Sequence, residues 1–190
     1  MPPMPCINLS DKEKTQLYEV ASLAIEQGLA SGERRIVDLS GFSNTLRQPA
    51  ATFVTVLKKG GLRGCIGVLE AIRPLVQDVS HNAYSAAFED PRFAPLKPDE
   101  WRLCALHISV LSQPRLIPVT SEQDLACKLR VGEDGLILSW RGHRATFLPS
   151  VWGQLPDPGD FIGQLKCKAG LGKEFWAKDI KAEIYQTTYI

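Results

Sequence analysis

Hydrophobic and polar positions run along this 190-residue chain with two different periods, and the switches between them mark its elements. Leu17, Val20, Ala21, Ala24 and Gly28 recur at helical spacing and predict one apolar stripe. Ser10 followed by Glu13 predicts a capping box at the start of that helix, and the polar stretch Ser31–Arg35 ends it. The β-branched run from Ala51 to Leu57 predicts a strand. Lys58-Lys59-Gly60-Gly61 then turns the chain, and Leu62 to Leu69 returns it as the second strand of a hairpin. Pro74 suits the first turn of a helix whose buried face carries Leu75, Val79, Ala83, Ala86 and Ala87. Asp90-Pro91 stops it, because a residue before proline is pushed out of helical geometry.

Strict alternation resumes from Leu103 to Leu111, with Leu106, Ile108 and Val110 on one face and Ala105, His107 and Ser109 on the other. Ser121 opens a short helix containing Leu125 and Leu129. A second hairpin follows, with strands Leu136–Trp140 and Ala145–Leu148. Asp160 is the expected cap of a helix through Phe161, Ile162 and Leu165, with Lys166 and Lys168 in its last turn and Gly170 at its C-terminal end. Ala182 to Thr188 alternates as one final strand. Hairpins interspersed with helices predict an α+β fold with a mixed or antiparallel sheet and flanking helices.

Composition narrows the function classes. Hydrophobic residues make up 44% and charged residues 23% of the chain, ordinary values for a globular protein able to bury its own core. A net charge of +1 with no long basic run predicts no broad attraction to nucleic acid. Trp101, Trp140 and Trp176 are not read as interleaved with basic residues, and Trp152 reads as packing, so a single-strand groove is weakly supported. Five cysteines, at 6, 65, 104, 127 and 167, are odd in number and widely spaced, which argues against a disulfide framework and for a reducing, cytoplasmic setting. The N-terminal Met1-Pro2-Pro3-Met4-Pro5 lacks the features of a secretory signal. No apolar run reaches the roughly 20 residues needed to span a bilayer. His81, His107 and His143 are not at metal-ligand spacing, so no metal site is expected. No P-loop or dinucleotide fingerprint is present, and no cofactor is implied.

Candidate chemistry concentrates in Arg63-Gly64-Cys65-Ile66-Gly67. Cys65 is a candidate nucleophile, Arg63 offers a planar cationic fork, and Gly64 and Gly67 permit positive φ or close approach of another group. On a strand, Arg63 shares the face of Cys65 and would stabilise a thiolate. The alternative is a packed thiol, since free cysteine is among the most buried residue types. His107, and more remotely His81, are the candidate bases, to be brought near only by the fold. Asp90 and Arg92 form either a surface turn or, with Arg63, a clamp for an anionic ligand. Asn82 and Tyr84 either supply a pocket or face solvent.

Together with Asp90-Pro91-Arg92-Phe93, Ile108-Ser109-Val110-Leu111, Phe147-Leu148-Pro149 and Lys168-Ala169-Gly170-Leu171, that segment resembles the AMMECR domain family, also called AmmeMemoRadiSam system protein A. The blocks run in family order from about Ala51 to Leu171. The resemblance implies a larger α+β lobe with a smaller one against it and a cleft near the Arg-Gly-Cys segment, with the larger lobe expected over about 1–112 and 161–190 and the smaller over about 113–160. Arg63, Gly64, Ile66 and Gly67, with Asp90 and Arg92, are the candidate ligand-binding residues. It also implies Memo-like and radical SAM partners in a three-part modification pathway. The family commonly carries an acidic residue where this chain has His107, which puts any carboxylate role at that position in doubt. Two readings stay open: a substrate-binding or adaptor module, slightly favoured because no base or nucleotide fingerprint accompanies the thiol, and a thiol-dependent enzyme. The substrate is a small molecule, a nucleic acid or a protein.

Overall fold

The computed structural model describes residues 7–190. In chain order the first elements are α1 (Asp11–Ser31), α2 (Asn44–Arg47), β1 (Ala51–Lys58), β2 (Gly61–Gly67), α3 (Leu75–Phe88), α4 (Pro98–Trp101) and β3 (Cys104–Leu111). They are followed by β4 (Arg115–Ile117), α5 (Glu122–Lys128), β5 (Gly135–Trp140), β6 (His143–Phe147), α6 (Pro158–Lys168), β7 (Lys181–Tyr185) and β8 (Thr187–Tyr189). Two compact units result, one of residues 7–111 with 188–190, the other of residues 112–187.

In the first unit an antiparallel sheet has the order β2-β1-β3-β8. Val54 and Val56 of β1 and Leu106, Ile108 and Val110 of β3 point to one face. There they form a single core with Leu17, Ala21 and Ile25 of α1 and Val76, Val79 and Ala83 of α3. The helical and strand periods read from the sequence therefore meet in the same buried layer. Ser10 and Glu13 make the expected capping box at the start of α1, and Gly32 ends the helix in the left-handed region. The hairpin between β1 and β2 turns through Lys59 and Gly60, both at positive φ, the backbone that matches strand twist in a two-residue turn.

The second unit carries an antiparallel sheet in the order β4-β7-β5-β6. Leu136 and Leu138 of β5, Ala145 of β6 and Ala182 of β7 pack on Phe161, Ile162 and Leu165 of α6. The Trp152 ring stacks on Phe161 at 3.7 Å, and its indole N–H donates to the Asp134 carbonyl at 2.8 Å.

Several expectations change. Residues 161–187 belong with 112–160, because α6 supplies that unit's core and β7 lies inside its sheet. The helix expected to start at Asp160 is capped three residues earlier by Asp157, whose carboxylate accepts the Asp160 N–H, with Pro158 as its first residue. Lys166 is fully buried and ion-paired with Glu122, so it does not serve as a solvent-facing C-terminal charge. The single tail strand divides into β7 and β8, which lie in different sheets.

Candidate functional site

The Arg-Gly-Cys-Ile-Gly segment lies on β2, an edge strand. Cys65 stands opposite Thr55 of β1, and Thr55 opposite His107 of β3. The three form a row on the sheet face that points away from α1 and α3. Cys65 and Thr55 are half-buried and His107 is exposed. The Thr55 hydroxyl donates to the Cys65 sulfur at 3.2 Å.

Among the described residues no carboxylate or imidazole is hydrogen-bonded to that thiol. Two strand spacings separate His107 from Cys65 across the row, roughly 10 Å. His81 is engaged elsewhere. Its Nδ1 lies 3.0 Å from the Arg34 guanidinium, which can only donate, so the imidazole is the acceptor and neutral. Burial and the neighbouring Arg34 charge both push its pKa down.

Arg63 does not stabilise the thiol either. Val56 pairs with Gly64 and Leu57 with Leu62, so Arg63 is an extra residue in a bulge and the simple alternation with Cys65 is lost. Its guanidinium binds both oxygens of Glu100, through Nε at 3.2 Å and Nη2 at 2.9 Å, and also donates to the Ala94 carbonyl. Lys58 donates to the same carboxylate at 2.7 Å. These bonds, Arg63 first and Lys58 next, bring the Glu100 pKa down to about 2.

Asp90 and Arg92 converge instead on the main chain of Cys65. The Cys65 N–H donates to Asp90 Oδ2 at 2.9 Å, and Arg92 Nη2 donates to the Cys65 carbonyl at 3.1 Å. Arg92 also clasps both Asp90 oxygens, at 2.9 and 2.7 Å. The Asp90 carboxyl is thereby held far below the usual carboxylate range, chiefly by Arg92 and then by the Cys65 amide, against its own burial. A carboxylate and a guanidinium separated by one proline thus close the exposed hydrogen-bonding edge of β2 where a further strand would otherwise pair. Arg92 remains half exposed, and the Phe93 ring lies between it and Arg63, with centroid distances of 5.5 and 5.9 Å.

The glycines also serve the scaffold. Neither Gly64 nor Gly67 has positive φ. A Cβ on Gly64 would sit 2.0 Å from the Ala86 carbonyl oxygen of α3, and one on Gly67 would sit 2.3 Å from the Phe53 ring. Ile66 packs against the helix-side core. Of the expected ligand-binding set, Gly64 and Ile66 therefore face the interior, Arg63 and Asp90 are engaged internally, and Arg92 reaches the surface beside Cys65.

Sequence reasoning missed three contributors. Thr55 becomes visible only once the strand register is known. Glu100 stands 37 residues from the arginine it binds. Asp78, fully buried, accepts from the Thr52 N–H and hydroxyl, from the Asn82 amide and from Arg73. Asn82 is thus a core residue and not a solvent-facing one. Tyr84 is also engaged, donating its hydroxyl to the Gly32 carbonyl at 2.7 Å.

Among the described residues no cluster of three or more His, Cys, Asp or Glu side chains is arranged to hold a metal ion. No helix among them is long and apolar enough to cross a membrane. Comparison with known proteins gives a consistent match. The family model described as AMMECR1 matches residues 18–190. A protein from Methanothermobacter thermautotrophicus is 39% identical over 166 residues, covering 86% of this chain and 85% of its own length. A protein from Thermofilum pendens is 34% identical over 183 residues, covering 88% and 84%. The crystal structure of the uncharacterized protein PH0010 from Pyrococcus horikoshii is similar at a TM-score of 0.85 and 30% identity, covering 91% of this chain and 88% of that one.

Proposed function

This chain belongs to the AMMECR1 family, and we propose that it works as a substrate-binding or adaptor module whose ligand lies on the sheet face around Cys65. One observation carries this reading. The charged residues of the motif are spent on structure, Arg63 on Glu100 and Asp90 and Arg92 on the Cys65 peptide, while among the described residues no carboxylate or imidazole is hydrogen-bonded to the thiol. A nucleophilic cysteine needs a base or a strongly electropositive setting to form thiolate at neutral pH. A binding face needs only a fixed backbone and accessible groups, here Cys65, Thr55, His107 and the outer side of Arg92. The ligand is a small molecule or an anionic group of a larger substrate, delivered within a three-part pathway with Memo-like and radical SAM partners.

A thiol-dependent enzyme is the alternative, and the Thr55 hydroxyl donating to the Cys65 sulfur is the observation in its favour, since such a donor also stabilises a thiolate. The rate of Cys65 alkylation as a function of pH separates the two. The binding reading expects slow modification near neutral pH. An apparent pKa well below the reference of about 8.5, together with loss of turnover in Cys65→Ala within the reconstituted three-protein system, would establish the enzyme instead.

A further inference from the structure

Residues 33–39, between α1 and α2, form neither helix nor strand, and Arg34 is their main anchor on α3. Its Nη1 lies 3.0 Å from His81 Nδ1 and donates to the His81 carbonyl at 3.2 Å. Its Nη2 donates to the Ser85 hydroxyl at 3.1 Å and to the Glu89 carboxylate, and the guanidinium lies 4.6 Å from the Tyr84 ring centroid. His81, Tyr84, Ser85 and Glu89 recur at spacings of three and four, so one face at the end of α3 receives the whole side chain. One turn earlier on that face, the Gln77 amide donates to the Val37 carbonyl at 3.0 Å. Val37 packs into the core of the first unit, while Ile36 beside it is 94% exposed.

Of these contacts, the one to His81 depends on a proton. A guanidinium has only donors, so the bond exists while His81 Nδ1 keeps its lone pair. A protonated imidazole donates from both nitrogens, which turns the bond into a donor facing a donor and sets two cations about 3 Å apart. Burial of the ring is the largest influence against that proton. Arg34, on the segment after α1, and Arg73, in the stretch before α3, oppose it as well, and Glu89 at the end of α3 favours it. Glu89 directly precedes Asp90, so this cluster ends one residue from the carboxylate that holds the Cys65 amide.

We propose that Arg34 and His81 form a proton-sensitive latch, which fastens residues 33–39 to α3 in neutral solution and releases them when the imidazole takes a proton. The direction follows from linkage. Detached, His81 titrates near its ordinary 6.5, whereas in the latch its pKa is lowered. The latched form is therefore fully favoured above pH 6.5 and loses ground as pH falls below it, by at most about tenfold per pH unit for one proton. Release takes Val37 out of the core and frees Glu89 from its cation. The latch is independent of any ligand on the face around Cys65.

The test is an NMR titration of the full chain from about pH 8 to about pH 5, following the His81 ring Cε1–H for its proton and the Val37 methyl groups for the segment. In the wild type the two should move together, with a midpoint below 6.5 and Val37 shifting towards the values of an exposed valine. His81→Gln, whose side-chain carbonyl accepts from Arg34 but takes no proton, should keep the Val37 signals in place over the whole range. Arg34→Ala should show Val37 released already at pH 8 and should raise the His81 midpoint towards 6.5. Val37 methyl groups that stay still while His81 titrates overturn the proposal, and this outcome needs no variant to fold. An unchanged Val37 response in His81→Gln, or an unchanged His81 midpoint in Arg34→Ala, overturns it as well.

Discussion

The Cys65 amide donates to the Asp90 carboxylate at 2.9 Å, joining residues on an edge strand and in the turn after α3. Arg92 answers from the other side by donating to the Cys65 carbonyl at 3.1 Å. Together they give one peptide unit of β2 the partners that a neighbouring strand would supply, so the Asp-Pro-Arg turn substitutes for a missing strand at the centre of the motif.

Asp90→Ala should therefore destabilise the fold. It leaves the Cys65 N–H unpaired and Arg92 without its carboxylate, a loss of about 2–4 kcal/mol. For a chain of this length that is a fall in Tm of roughly 5–15 °C. Amide exchange at Cys65 should accelerate along with it. Wild-type exchange at Cys65 in the variant would show that the edge does not depend on this bond.

Gly64→Ala tests whether the glycine is there for packing. Its Cβ would lie 2.0 Å from a backbone oxygen of α3, which no side-chain rotation relieves. Separation of β2 from α3 should cost about 1–3 kcal/mol or more by urea denaturation. Gly153→Ala, at a position where a Cβ meets nothing within 4 Å, is the control expected to stay within about 0.5 kcal/mol.

Glu100 links acid stability to the motif. Its native pKa of about 2 lies below the ordinary 4.5, so its contribution is complete above pH 4.5 and is lost as pH falls towards 2. Glu100→Gln should lower stability at neutral pH, and the gap from wild type should close through that window. A gap that is constant from pH 6 to about 2 would mean that the ion pairs with Arg63 and Lys58 are not its source.

Asp78→Ala should be the most damaging of these changes. Four donor groups from Thr52, Asn82 and Arg73 converge on a carboxylate with no exposure. Removing it strands buried polar groups at a cost of about 3–5 kcal/mol. Thermal unfolding reads this directly, and a variant as stable as wild type would show that the network rearranges.

How far the sequence reached follows from the range of each interaction. The capping box at Ser10 and Glu13 and the alternation of Leu106, Ile108 and Val110 were legible because a helix cap and a strand face are set within a few residues. The motif blocks identified the family. Their meaning was harder to read. Gly64 looked like a ligand-approach glycine and proved to be a helix-packing one, and Arg63 looked like a thiolate partner until a bulge turned it to Glu100.

Local period, caps and family membership were thus fixed by the order of residues alone, because each depends on neighbours a few positions apart. Tertiary structure decided which groups are free. Asp90 is bound to Cys65 across 25 residues, His143 to Ala169 across 26, and Arg63 to Glu100 across 37. A side chain's chemistry depends on the partners that surround it, and at these positions the partners are brought in only when strands pair and helices pack.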